Sequence, residues 1–314
     1  MHKYLKLKIN RFFYAMDNYQ FLEKIGSGSH GTVYLLKSED TDKFVVCKSF
    51  VSKYKTHAHR EIAILEKIRH RRIVNMIESI IYKDSIYLIL EYINFGSLDS
   101  MIQFFIKNNT TPSNSLAWSL LSQISDVLNY LHSKKIIHRD IKPSNILIGR
   151  FFVKNREYLE FKLCDFSLAT KIEGNVVDKH VVGTPFYMSP EMISRNSYDH
   201  SVDVWGLGCC VLEVITLTKP FKGKNREDLF NKILNEEPEG KIKDDPILES
   251  IVNRCLEKKN RITANALTKH EKIRLHLAML ELRLREHKIE ELENKLSELE
   301  NQKIEKLSKG IPKY

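Results

Sequence analysis

The chain has 314 residues, of which 42% are hydrophobic and 29% charged, with a formal net charge of +10. That length and balance fit one large two-lobed domain with an accessory segment, and they exclude a largely disordered chain. No apolar run reaches the length of a membrane span and residues 1–15 lack the apolar core of a secretory signal, so a soluble, intracellular protein is expected. Cys47, Cys164, Cys209, Cys210 and Cys255 show no paired metal-type spacing. Four lie within apolar runs, which predicts reduced, buried thiols. The positive charge is spread along the chain and reads as a solvated basic surface, not as a specific nucleic-acid face.

Residues 1–18 form a basic extension with Lys3, Lys6, Lys8, Arg11, Phe12, Phe13 and Tyr14. It reads either as a membrane-surface or partner-binding arm, or as an extension ahead of a natural start at Met16. Strand, turn and strand follow around Ile25-Gly26-Ser27-Gly28-Ser29-His30-Gly31-Thr32-Val33. A Gly-x-Gly-x-x-Gly also marks dinucleotide sites, but there a helix comes next. Here β-formers follow from Thr32 to Leu36, which predicts a hairpin whose glycines let backbone amides close over phosphates. Residues 44–48 read as a strand ending in Lys48. Residues 60–65 have helical apolar spacing and include Glu61. Residues 86–93 form an apolar strand run, and 107–114 a polar loop. From Ser115 a helix carries Leu116, Leu120, Ile124, Val127 and Leu131 on one face.

That helix delivers His138-Arg139-Asp140-Ile141-Lys142-Pro143-Ser144-Asn145, a loop because Pro143 rules out a continuous helix. Ile146, Leu147 and Ile148 make a short strand, residues 149–160 read as a surface insertion, and a strand ends at Asp165-Phe166-Ser167. Gly183-Thr184-Pro185-Phe186-Tyr187-Met188-Ser189-Pro190-Glu191 and Asp203-Val204-Trp205-Gly206-Leu207-Gly208 follow, the latter opening an apolar helix.

In this order the motifs resemble those of the eukaryotic serine/threonine protein kinases over residues 19–270, with the Gly183 to Glu191 segment most similar to the NIMA-related mitotic kinases. The resemblance implies an α+β, two-lobed fold, with a small β-rich N-lobe and a mainly helical C-lobe, that uses ATP and Mg2+. It assigns ATP contacts to Ile25, Gly26, Ser27, Gly28, Ser29, His30, Gly31, Val33, Lys48, Glu91 and Ile93, with Leu90 as gatekeeper. Lys48 is expected to pair with Glu61 in preference to Glu66, and the interval from Lys48 to Glu61 is several residues shorter than in the family, which predicts an altered first turn of that helix. Asp140 serves as base, Lys142 neutralises charge, and Asn145 with Asp165 holds magnesium. Glu191 is expected to pair with Arg261, and Asp203 to brace the catalytic loop. Lys142 and Thr184 indicate serine/threonine specificity.

Two departures stand out. Ser167 occupies a position where the family has glycine, so switching between active and inactive arrangements is expected to change. Between Lys171 and Val182 there is no serine, threonine or tyrosine, and Asp178, near His180, is a candidate to replace the usual phosphate by pairing with Arg139. The tail, 271–309, is a charged helix in which Leu275, Leu282, Ile289 and Leu296 recur every seven residues, accompanied by Ala278, Arg285, Leu292 and Leu299. A parallel coiled-coil homodimer is the first reading and a helix packed on its own domain the second. The expected partners are protein substrates, in a cytoplasmic, nuclear or cytoskeletal location. A pseudokinase scaffold is the alternative, and a dinucleotide enzyme fails for want of a βαβ unit.

Overall fold

The computed structural model describes residues 16–28, 31–83, 85–172 and 182–309. Ser29, His30, Asp178 and His180 therefore lie outside the described residues. The chain opens with β1 (Tyr19–Gly28), β2 (Gly31–Ser38) and β3 (Phe44–Phe50). After a 3₁₀ turn at Ser52–Tyr54 come α1 (Lys55–Leu65), β4 (Met76–Tyr82) and β5 (Ser85–Glu91). The strands form one antiparallel sheet in the order β1-β2-β3-β5-β4. Alternation along β3 sorts its side chains by function: Val45 and Cys47 face an outer cluster with Met16, Leu36, Tyr87 and Ile89, while Val46 and Lys48 take the opposite face. Met16, three residues ahead of β1, is buried there against the sheet.

Helix α1 starts without a side-chain cap, and its buried face is Ala58, Glu61, Ile64 and Leu65. The short interval from Lys48 to Glu61 is thus bridged between β3 and α1 by one 3₁₀ turn that runs directly into the helix, whose first turn forms at Lys55.

The larger lobe is built on α2 (Leu98–Lys107), α3 (Asn114–Ser133) and α5 (Ser201–Thr216), with the short α4 (Pro190–Ile193) between. Helices α6 (Arg226–Asn235), α7 (Pro246–Cys255) and α8 (Ala264–Lys269) complete it. Ser97 and Ser113 cap α2 and α3 by accepting backbone N–H bonds. Leu120, Ile124, Val127 and Leu131 of α3 are fully buried, whereas Leu116 at its start is half-buried. Helix α5 is buried from Val202 to Val214 and mostly apolar, with the carboxylates of Asp203 and Glu213 buried among its aliphatic residues.

The supposed insertion at 149–160 is corrected by the structure. Strands β7 (Ile146–Val153) and β8 (Arg156–Leu163) pair in register along their whole length, closed by Lys154 and Asn155 at φ +47° and +62°. Two consecutive left-handed residues make the tight hairpin turn whose twist suits the flanking strands. Strands β6 (Ile136–Ile137) and β9 (Thr170–Lys171) tie the segment after Asp165 to the base of the catalytic loop. The chain ends in α9 (Glu271–Lys309). Among the described residues no helix is long and apolar enough to cross a membrane.

Candidate active site

A cleft of about 500 Å³ opens between the sheet and the helical lobe. Its roof is Ile25, Gly26, Val33 and Val46, its back Leu90, and its floor Leu147, with Lys48, Glu61, Asn145 and Asp165 at the polar end. Gly31 owes its identity to packing: a Cβ there would lie 1.9 Å from the Ser49 carbonyl oxygen on β3.

The polar end is organised by one ammonium group. Lys48 Nζ lies 2.8 Å from Glu61 Oε2 and 2.7 Å from Asp165 Oδ1. Burial alone would lower the Lys48 pKa, but the two carboxylates outweigh it and raise the pKa, so the group stays charged. Burial would likewise raise Asp165, yet the Lys48 charge and the Ser167 hydrogen bond hold it well below the usual carboxylate range. Glu61 moves the other way, pushed up by burial against the pull of Lys48. It also accepts the Phe166 N–H at 3.3 Å, so α1 and the Asp165 segment share one carboxylate.

Asp140 is gripped on both oxygens. Lys142 Nζ sits 2.6 Å from Oδ2, and Oδ1 accepts the Thr184 hydroxyl at 2.9 Å and the Thr184 N–H at 3.0 Å. Lys142 also donates to Thr184 Oγ1 at 2.8 Å. Asn145 Nδ2 donates to the Asp140 carbonyl (2.9 Å) and carboxylate (3.1 Å), leaving Oδ1 as the oxygen it can offer a cation. The loop itself is held from below. Asp203 accepts the backbone N–H groups of His138 (3.0 Å) and Arg139 (2.8 Å) and the ring Nε2 of His132 (3.0 Å). These bonds hold Arg139 at φ +67°, a conformation that a non-glycine residue adopts only under constraint.

At the opening between the lobes, the Glu91 N–H donates to the Asn75 carbonyl at 3.0 Å, so a base contact at this residue falls to its own carbonyl. Its carboxylate is engaged by Lys162 at 2.9 Å. The Arg139 guanidinium is nearly buried, donating to the Leu168 carbonyl (2.7 Å) and the Tyr198 hydroxyl (3.3 Å). Farther off, Arg261 clasps Glu191 with both terminal nitrogens, at 2.7 and 3.2 Å.

The structure therefore brings Lys48, Glu61, Asn145 and Asp165 together at the polar end of one cleft, with Ile25, Gly26, Val33, Glu91 and Ile93 on its walls, and joins Asp140 and Lys142 to that end through the Asn145 amide. Sequence reasoning passed over Val46, Leu147 and Cys164 as lining residues. Strand alternation carried the signal for Val46, two residues before Lys48 on β3, and for Leu147, which alternates with the buried Ile146 and Ile148 on β7.

A buried lysine shared between a helical glutamate and an aspartate, facing a base-like aspartate bracketed by lysine and threonine, defines a phosphotransfer cleft of the protein kinase type. The chain belongs to the protein kinase domain family, whose pattern matches residues 19–273. Its relatives include NIMA-related kinases. It is 35% identical over 228 residues to the probable serine/threonine-protein kinase nek2 of Dictyostelium discoideum, an overlap covering 69% of this chain and 53% of that protein. Against the serine/threonine-protein kinase Nek5 of Homo sapiens the figures are 33% over 224 residues, 69% and 30%. Against the G2-specific protein kinase nim-1 of Neurospora crassa they are 31% over 260 residues, 72% and 29%. The aligned region spans about half or less of these three relatives.

Proposed function

We propose that the protein transfers the γ-phosphate of ATP to serine and threonine hydroxyls of protein substrates, as a NIMA-related kinase acting in the cell cycle. The grip on Asp140 carries this reading. A carboxylate fixed by Lys142 and Thr184 stands ready to orient an incoming hydroxyl and take its proton, with Lys142 beside it to offset charge on the phosphoryl group.

The residues fit the nucleotide and its metal. Ile25, Val33, Val46, Leu90 and Leu147 offer apolar walls for a base, and Lys48 offers a fixed positive charge for phosphates. Asp165 and Asn145 would hold a Mg2+ ion through their side-chain oxygens. Bound Mg·ATP supplies the transferable phosphoryl group. Glu61 aims Lys48, Ser167 and Lys48 aim Asp165, and Asp203 fixes the loop that bears Asp140. Relatives named as serine/threonine kinases support the hydroxyl specificity, and nim-1, named as G2-specific, supports the cell-cycle assignment. We place the protein in the cytoplasm or nucleus, or on the cytoskeleton, and give it a second copy of itself as partner through α9.

Transfer from ATP to a generic basic protein is the test, comparing the wild type with Asp140→Asn. Loss of a base of this kind costs about 10²–10⁴-fold in rate while leaving nucleotide binding intact. Equal transfer by both proteins would refute the assignment of Asp140. Nucleotide binding without transfer by either would favour a scaffold.

A further inference from the structure

Helix α9 carries two apolar stripes on opposite faces. Ile273, Leu277, Leu280 and Leu284 are buried or half-buried against the domain, while Leu275, Met279, Leu282 and Ile289 are more than half exposed on the far side. Ile273 and Leu277 join the main core, and the second half of the inner stripe lands on the hairpin β7–β8. Leu284 and Leu280 close a small cluster with Phe151, Val153 and Tyr158, quite separate from the main core. His287 Nδ1–H donates to the Phe152 carbonyl at 2.9 Å, and the Lys154 N–H donates to Glu290 at 3.3 Å. The length of the hairpin beyond Arg150 therefore has a partner inside the same chain.

The contact leads back to the active site through Arg71, in the connection between α1 and β4. Its Nε–H donates to Glu160 of β8 at 2.8 Å and its Nη1 to Glu281 of α9 at 2.9 Å. The next residues zip onto β8: the Leu163 N–H bonds to the Arg72 carbonyl (2.8 Å) and the Val74 N–H to the Leu163 carbonyl (3.0 Å). Leu163 is two residues from Asp165, and α1, which ends just before this connection, bears Glu61. The hairpin itself begins one residue after Asn145.

We propose that the inner face of α9 is a positioning element of the catalytic domain. By clamping the α1–β4 connection to the hairpin it fixes Glu61 relative to Asp165 and Asn145. Glu281 and Leu284 are the positioning residues, acting through Arg71 and Phe151, and detachment of the helix lowers activity with every catalytic side chain in place. The inference rests on the kinase reading for its effect on rate, and on geometry alone for its effect on α1.

Two substitutions of the same kind on opposite faces test it in the full chain. Leu284→Asp, at an 8% exposed position, places a charge in the α9–hairpin cluster, whereas Leu282→Asp, at 53%, places it on the free face. Hydrogen exchange of residues 55–74 should rise by about tenfold in Leu284→Asp and stay at the wild-type rate in Leu282→Asp. The rate of transfer should fall about tenfold or more in the first and hold in the second. If Leu284→Asp does not fold, Glu281→Lys takes its place with the same readouts, since its partly exposed site tolerates the change. Detachment of α9, seen as faster exchange in residues 271–290, with residues 55–74 and transfer unchanged would overturn the proposal. Equal losses in Leu282→Asp would overturn it too, by tracing the effect to self-association. A wild type without transfer would fail the kinase reading alone, because the exchange of α1 still reports on the clamp.

Discussion

Ser167 stands where the family resemblance calls for glycine, yet the backbone there does not need one. The left-handed torsion belongs to Asp165, at φ +61°, and the fully buried Ser167 turns its hydroxyl onto Asp165 Oδ1 at 2.7 Å. A substitution that looks like damage in the sequence thus adds a bond to a metal-ligand candidate, and no torsion of Ser167 itself has to give. Hydrogen bonds to charged groups contribute about 1.5–3 kcal/mol, so Ser167→Gly should raise the Mg2+ concentration for half-maximal transfer by about 10-fold to about 150-fold. A magnesium titration at saturating ATP checks this, and an unchanged midpoint would make the hydroxyl incidental.

Asp203 allows a second prediction at this scale. Burial would raise its carboxyl, but the bond and charge of His132 and the N–H groups of the catalytic loop hold it below the usual range. Asp126, bonded to His70 and Arg72, is lowered in the same way. A depressed folded pKa gives stability that is complete above the unfolded value, about 3.9, and is lost as pH falls below it. Urea midpoints should therefore drop between about pH 4 and pH 2, and Asp203→Asn should be less stable at neutral pH with a shallower acid decline. A decline as steep as in the wild type would show that other carboxylates carry it.

At the scale of elements, β3, α1 and α3 were legible because each has one buried face and one period. The hairpin β7–β8 was not. In its first half the even residues Ile146 and Ile148 are buried, but past Arg150 the odd residues Phe151 and Val153 are, because α9 covers the other face there. A pattern that changes phase within one strand cannot be read as a strand without knowing what lies on each side. The α9 helix hid its docking for a related reason, since two opposed apolar stripes nearly cancel in amphipathic character. The catalytic loop was plain because its spacing is chemical, while the cleft walls at Val46 and Leu147 were signalled only by strand alternation, which names no chemistry. Packing of α5 beneath that loop gives a further test. A Cβ on Gly206 would lie 2.9 Å from both Ile141 Cβ and the Ile141 carbonyl oxygen. Gly206→Ala should cost about 1–3 kcal/mol by overpacking and, by lifting the segment next to Asp140, lower the rate as well as the melting temperature. Full activity at reduced stability would mean that the loop absorbs the strain elsewhere.

For the whole molecule, α9 docked by one face still presents the other. Leu275, Met279, Leu282, Ile289, Leu292, Leu296 and Leu299 are all more than half exposed, a long apolar stripe to leave in water. The two readings of the tail are therefore compatible, because the docked face and the heptad seam are different surfaces. We propose that a second copy covers the seam in parallel. In that arrangement Lys288 and Lys295 of one helix face Glu293 and Glu300 of the other, whereas antiparallel pairing would set the row Glu286, Glu293 and Glu300 against itself. The repulsive pair, Glu281 with Glu286, is relieved within each chain by Arg71 and Arg283. Arg285 interrupts the apolar layers, so the association should rest on the stretch beyond it and be moderate. Light scattering at micromolar concentration should give twice the chain mass, falling to one chain in Leu292→Asp/Leu296→Asp. Since that pair lies beyond the docked stripe, transfer per chain and exchange of residues 55–74 should not move. A single-chain mass for the wild type would leave the free stripe without its proposed partner and rule out the dimer at that concentration.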